Sequence, residues 1–141
     1  MNEKEKWDYI ISLDEELLIG GVILDERISE LVRNADISYI HCAYWSTIIT
    51  SVAGIEGYLR IDNMNPYKNL NVLIQESGFE KTDIDAIQKL RQYRNKLVHG
   101  NFDVEEELIL DSNDQFTREA EKNARDALKL LRIIVYSDQW I

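Results

Sequence analysis

The sequence predicts an all-α helical bundle, and three observations predict it. Chain breakers are few: Pro66 is the only proline and there are six glycines in 141 residues, too few for a turn-rich β architecture. Apolar side chains recur every three or four positions, as in Ile37, Ile40, Tyr44, Ile48, Val52, Ile55 and Leu59, which is the period of a helix face. Capping-box spacing stands ahead of two apolar runs, Ser12 with Glu15 and Thr82 with Asp85. The length suits one domain, residues 1–141, around one core.

The first helix is expected from about Ser12 to Arg33, with Leu17, Leu18, Leu24, Ile28, Leu31 and Val32 on its apolar side. Gly20-Gly21 either breaks it or allows a close helix crossing. The second is expected from about Asp36 to Ile61, a central helix about 40 Å long at 1.5 Å per residue. Ala43, Ala53, Gly54 and Gly57 flank its stripe and leave room for close neighbours on both sides. Asp62 to Pro66 reads as a loop, and a short helix follows from about Tyr67 to Ser77, ended by Gly78 with Phe79 behind it. The fourth helix runs from near Thr82 to about His99, where Gly100 is a natural left-handed stop. Asn101 to Gln115 is acidic and reads as irregular, with Leu108-Ile109-Leu110 as a brief extended piece. The fifth helix spans about Phe116 to Tyr136, lined by Ala120, Ala124, Ala127, Leu131 and Ile134. The terminal pair Trp140-Ile141 is expected to dock on the body.

Composition narrows the function. Apolar residues make up 45% of the chain, enough for a packed interior. Cys42 is the only cysteine, so no internal disulfide forms and a reducing compartment fits. The start, Met1 to Lys6, lacks the pattern of a signal peptide, and the apolar stretch Ala43–Ile55 is interrupted by Ser46, Thr47, Thr50 and Ser51. It is too short and too polar for a membrane span, so a cytoplasmic protein is expected. A net charge of −10 repels phosphate backbones in general, so any nucleic-acid contact must be local. Lys89, Arg91, Arg94 and Lys96 form such a locality, with no acid between Lys89 and His99. On charge alone the same cluster better fits a solvated helix face matched by acids on a neighbouring helix.

The fourth helix carries the chemistry. With Arg94 at zero on a helical wheel, Ile87 lies about 20° and Val98 about 40° to one side, and Leu90 about 40° and Leu97 about 60° to the other. Arg94 therefore sits in the middle of the apolar face. An unpaired guanidinium there costs several kcal/mol to desolvate, so the position requires a carboxylate or a wet cleft. Glu56 and Glu76 are the candidate internal partners. Asn95 and His99 share one flank at i, i+4 spacing, roughly 100–140° from Arg94. The C-terminal dipole of the helix favours an imidazolium at His99. A proton-exchanging histidine beside clustered cations suits phosphodiester chemistry. Arg94 and His99 converge only partly on an intact helix; unwinding of the last turn, or a second copy facing the first, would bring them together.

Arg94-Asn95-Lys96-Leu97-Val98-His99 resembles the signature of the HEPN superfamily (higher eukaryotes and prokaryotes nucleotide-binding domains), an arginine followed after four to six residues by a histidine, often with a polar residue next to the arginine. Its place at the end of the penultimate long helix of a small helical protein is also similar, over roughly Asp36–Tyr136. The resemblance implies a HEPN-like four- to five-helix bundle that dimerises. Many such proteins are metal-independent endoribonucleases of toxin–antitoxin, abortive-infection or other defence systems, with the motif helices of two subunits facing each other. It implies that His99 is a general base or acid at the ribose 2′-hydroxyl and leaving oxygen, that Arg94 stabilises the pentacoordinate phosphate, and that Asn95 orients the pair or binds a phosphate oxygen. Products would carry 2′,3′-cyclic phosphate ends. Lys89, Arg91 and Lys96 are the candidate substrate-binding residues, and no cofactor or metal is implied. One subgroup is regulated by a partner nucleotidyltransferase that modifies a tyrosine two residues after the histidine; that position is Asn101 here. Other members are non-catalytic modules that bind a protein or nucleotide, and a toxin silenced by a basic antitoxin would also suit the acidic surface.

Other constellations are weaker. Adjacent helical positions point about 100° apart, so His41-Cys42 makes a poor dyad or zinc clip, and packing accounts for both. Asp103, Glu105, Glu106, Glu107 and Asp111 read as a solvated loop. Gly20-Gly21 and Gly54-x-x-Gly57 match no phosphate-binding fingerprint. Trp7, Trp45 and Trp140 are read as core or interface.

Overall fold

The computed structural model describes residues 1–63, 67–110 and 113–140, and these hold seven helices and no strand. They are α1 (Glu3–Leu17), α2 (Glu26–Ile40), α3 (Tyr44–Asn63), α4 (Leu70–Gln75), α5 (Lys81–His99), α6 (Val104–Leu110) and α7 (Asn113–Val135). The all-α expectation holds, with more and shorter helices than five. None of them is long and apolar enough to cross a membrane.

The single helix expected over Ser12–Arg33 is two helices with a connection between. The capping box lies further upstream: Asn2 Oδ1 accepts from Glu5 N–H at 2.8 Å and Asn2 N–H donates to Glu5 Oε1 at 3.4 Å. Ser12, expected to cap, sits inside α1 and donates its hydroxyl to the Tyr9 carbonyl. Gly20-Gly21 breaks the helix because the C-terminal tail docks there. The Gln139 side chain accepts from Ile19 and Gly20 N–H and donates to the Leu17 carbonyl. Gly21 and Trp140 exchange backbone hydrogen bonds of 2.7 and 2.9 Å. A Cβ on Gly21 would lie 2.6 Å from the Trp140 ring, so only glycine fits this contact.

The long helix expected over Asp36–Ile61 is interrupted as well. α2, capped by Asp25 on Arg27 N–H, ends at Ile40. Cys42 then takes a left-handed φ of 62° before α3 begins. No glycine or proline announces the break. What holds it is Lys6 of α1, whose Nζ donates to Cys42 Sγ at 2.7 Å and Tyr44 Oη at 2.8 Å. His41 and Cys42 therefore lie in a connection, not on a helix, and Cys42 is exposed, not packed. At the other end α3 continues through Asp62 and Asn63, which were expected in a loop, while residues 64–66 lie outside the described part.

α3 is the central element, packed against α2, α4, α5 and α7. Its predicted stripe is buried: Ile48, Val52, Ile55 and Leu59 face the core with Leu128, Leu131 and Ile134 of α7. Each such side chain contributes about 1.5–3 kcal/mol on leaving water. The small residues beside the stripe admit close neighbours: a Cβ on Gly54 would meet Leu131 Cδ1 at 2.8 Å, and one on Gly57 would meet Ile28 Cδ1 at 3.0 Å. Ile37 of the expected stripe is 37% exposed, because it belongs to α2 rather than to a continuous helix.

Two further expectations are corrected. α5 starts at Lys81 with Glu80 as its cap and no side-chain cap hydrogen bond, so Thr82 and Asp85 form no capping box. The stretch Asn101–Gln115 is not irregular: α6 and the first turn of α7 lie in it, and Leu108-Ile109-Leu110 is helical. Residues 111–112 and 141 fall outside the described part.

Candidate functional site

α5 ends where the sequence predicts. Gly100 takes φ 69° and its N–H donates to the Lys96 carbonyl at 2.8 Å, so the helix is intact through His99 and stops cleanly. The last turn does not unwind, and Arg94 and His99 stay about 140° apart around the axis.

Arg94 finds one of its two candidate carboxylates. Its Nη2 donates to Glu56 Oε1 of α3 at 2.8 Å, and its Nε donates to Asn95 Oδ1 at 2.9 Å. Glu76 instead pairs with Lys68. The guanidinium is not sealed, since its side chain remains 20% exposed. Arg91 reaches the same Glu56 oxygen at 3.3 Å and is further held by Asn71 and Gln88 at 2.9 and 3.0 Å. Two arginines thus share one carboxylate oxygen, which leaves one surplus positive charge at a partly open point on the α3–α5 seam. α3 presents Glu56 here because the buried Ile55 and Leu59 lie about 100° and 60° to one side of it and turn it to the edge of the core.

The remaining cations divide. Lys96 makes a two-pronged contact to Glu106 of α6, 2.8 Å to each carboxylate oxygen, and this bond raises its pKa above the usual lysine range. Glu106 is held in place by a reciprocal cap: its N–H donates to Asp103 Oδ1 at 2.8 Å and its Oε1 accepts from Asp103 N–H at 3.3 Å. The Asp103–Glu106 spacing was the available signal for α6, hidden in what reads as a solvated acidic run. Lys89 is exposed and has no hydrogen-bond or ion-pair partner among the described residues. His99 is likewise exposed, with no such partner among the described residues. Its neighbour Val98 is 54% exposed, and Val104 and Leu108 of α6 are 75% and 65% exposed.

The structure therefore brings Arg91, Arg94 and Asn95 together around Glu56, sets Lys96 against α6, and leaves Lys89 and His99 open on another flank. Glu56 is the residue that joins the cluster, and only its place beside an apolar stretch of α3 signalled it.

The fully buried cations are elsewhere. Arg132 of α7 is 1% exposed and donates to both oxygens of Asp36 at 3.0 and 2.8 Å and to Asp14 at 2.8 Å. Burial opposes its charge, but the two carboxylates outweigh that and hold it protonated above its usual range. Lys6, 2% exposed, lies over the Tyr39 and Tyr44 rings. Burial opposes its charge too, but the bonds to Cys42 and Tyr44 raise its pKa, and the same bond from Lys6 lowers that of the Cys42 thiol. Among the described residues no group of three or more histidines, cysteines and carboxylates is placed to hold a metal. Trp45 packs edge-on against Phe116, ring centres 5.6 Å apart. Compared with known proteins, the chain matches no family model, no curated protein and no solved structure at a significant level.

Proposed function

We propose that this chain is a HEPN-like, metal-independent endoribonuclease of a toxin or defence system that acts as a homodimer in the cytoplasm. The observation that carries the reading is the state of Arg94: centred on the apolar face of α5, tied to Glu56 and Asn95, yet one-fifth exposed and part of a cluster with one charge in surplus. A phosphate is the natural company for that surplus. His99, free at the end of the same helix, supplies the proton transfer. Because α5 is intact, Arg94 of one subunit and His99 of the other must meet across a two-fold axis, and exposed Val98, Val104 and Leu108 are suited to burial there.

In this mechanism His99 takes the proton from a ribose 2′-hydroxyl. The 2′-oxygen attacks phosphorus, the bond from phosphorus to the 5′-oxygen breaks, and a protonated His99 returns a proton to the leaving oxygen. Arg94 stabilises the extra charge on the pentacoordinate phosphate, for which removal of one donor typically costs about 10²–10³ in rate. Glu56 and Asn95 fix the guanidinium. Arg91 sits on the other side of Glu56, and Lys89 and Lys96 lie along the approach to His99.

A second reading is favoured by a specific observation. The Arg94–Glu56 ion pair satisfies Arg94 internally while His99 stands alone, which suits a non-catalytic module that docks a nucleotide or a protein, such as a basic antitoxin or a nucleotidyltransferase. Incubation of RNA with the protein in EDTA separates the two. Cleavage to cyclic-phosphate ends by wild type, lost in both Arg94→Ala and His99→Ala, supports the nuclease. Equal traces from all three proteins reject it and leave the module.

A further inference from the structure

A groove of about 630 Å³ runs between α5 and α7 on the flank of α5 away from Arg94. Taking Lys96 as zero, Lys89 lies about 20° and Tyr93 about 60° to one side and His99 about 60° to the other, whereas Arg94 lies about 160° away. His99 lies beyond Lys96 and does not line the groove. Its volume falls within the range of small-molecule sites. Its floor is apolar, with Leu90 and Leu130 each more than nine-tenths buried. Its wall is the half-buried ring of Tyr93 on α5. Two opposite charges at its rim, Lys89 on α5 and Glu119 on α7, have no hydrogen-bond or ion-pair partner among the described residues, whereas Lys96 and Lys122 are matched to Glu106 and Asp126.

An apolar floor, an aromatic wall, an unmatched cation and an unmatched carboxylate together ask for a ligand that is planar, anionic at one end and rich in hydrogen-bond donors at the other. Inorganic phosphate would leave Glu119 and the ring unused, and a fatty acid would leave Glu119 facing hydrocarbon. We propose that this groove seats one unpaired nucleotide whose base carries an exocyclic amine, with the base against Tyr93, its amine donating to Glu119, and its phosphate beside Lys89. Cytosine, adenine and guanine meet that requirement; uracil does not. Within the nuclease reading, on which its biological role rests, the groove selects a base of the bound RNA away from the cleaved phosphate. Occupancy itself requires no cleavage, so the two ideas fail separately.

The test is calorimetric titration of the full chain with CMP and UMP, and with hexacytidylate and hexauridylate RNA, at low salt and in EDTA. Both cytosine ligands, or the oligomer alone, should bind at least about fivefold more tightly than the uracil counterparts. Saturation by CMP assigns the groove to the nucleotide as such; saturation by hexacytidylate alone assigns it to a segment of RNA. Lys89→Glu should weaken binding about tenfold or more, and Glu119→Ala should erase the preference for cytosine; both residues are exposed, and circular dichroism checks that the variants fold. RNA cleavage assayed on the same preparations is a separate readout: groove binding without cleavage overturns the nuclease reading and leaves this one standing. Equal binding of cytosine and uracil ligands, no change in the two groove variants, or no saturable binding at all overturns the proposal.

Discussion

Asp36→Asn should be among the most damaging conservative substitutions in this protein, because it leaves a guanidinium buried without its main counter-charge. Arg132 is 1% exposed and its strongest contacts are both oxygens of Asp36, itself 15% exposed. Breaking a buried pair by removing one partner costs about 3–5 kcal/mol. Asp14 still reaches Nε at 2.8 Å, but it is 41% exposed and so less effective in compensating. The lower end, about 3 kcal/mol, is therefore expected. At about 2.1 cal/mol/K per residue, a chain of this length unfolds with an entropy near 0.3 kcal/mol/K, which places the drop in Tm at about 10 °C. Urea titration at neutral pH with an unchanged m-value, together with thermal melting, measures the loss. Arg132→Met with Asp36→Leu supplies the control. Removing both charges also removes their desolvation, so the double variant should be clearly more stable than Asp36→Asn. A loss under about 1 kcal/mol for Asp36→Asn, or a double variant that falls further than the single one, would refute the view that uncompensated charge sets the cost.

Three other outcomes are expected. Lys6→Met should slow alkylation of Cys42 by iodoacetamide at pH 7 several-fold, because the ammonium that lowers the thiol pKa is gone; an unchanged rate would show that Lys6 does not activate the thiol. Tyr136, whose phenol is pushed up to about 12 by burial and its bond to Asp14, holds its proton more tightly folded than unfolded, so its contribution is complete below about pH 10 and disappears as pH rises through 12. Two pKa units correspond to about 3 kcal/mol; allowing for solvent around the partly open Asp14, Tyr136→Phe should remove about 1–2 kcal/mol of the alkaline decline in urea stability between pH 10 and 12. Gly21→Ala should cost about 1–3 kcal/mol, because its Cβ would strike the Trp140 ring at 2.6 Å, and the shift in tryptophan emission should report release of the C-terminal tail.

How much of this was legible in the sequence depends on whether the cause was local. The stripe of α3, the apolar face of α7 and the Gly100 stop were readable because period and chirality act within a few residues. The break at Cys42 was not, because what holds it is a lysine from another helix, 36 positions away. The division at Gly20-Gly21 was half legible: the glycines mark weakness, but Gln139 and Trp140, at the far end of the chain, settle that it is a break and not a crossing. The two missed caps differ from this. Asn2–Glu5 and Asp103–Glu106 have the right spacing in plain view, but Ser12–Glu15 and Thr82–Asp85 have it too, and spacing alone does not say which pair closes into a cap.

The same distinction explains why Arg94 stood out and Arg132 did not. A cation amid an apolar run is visible on a wheel, yet the wheel cannot show whether its partner closes over it. Arg132 sits among Leu128, Leu131, Val135 and Tyr136, all buried, and is as much an interruption of its face as Arg94 is. The structure matches Arg132 with two carboxylates, Asp36 and Asp14, one in front and one beside it, and removes it from water. It gives Arg94 one carboxylate to share with Arg91 and leaves both guanidiniums about one-fifth exposed. Arg132 and Arg94 obey the same electrostatics and differ in how completely their charge is matched. By that measure Arg132 is a structural element of the α1–α2–α7 junction, and the incompletely matched pair at Glu56 is where the proposed phosphate would gain most.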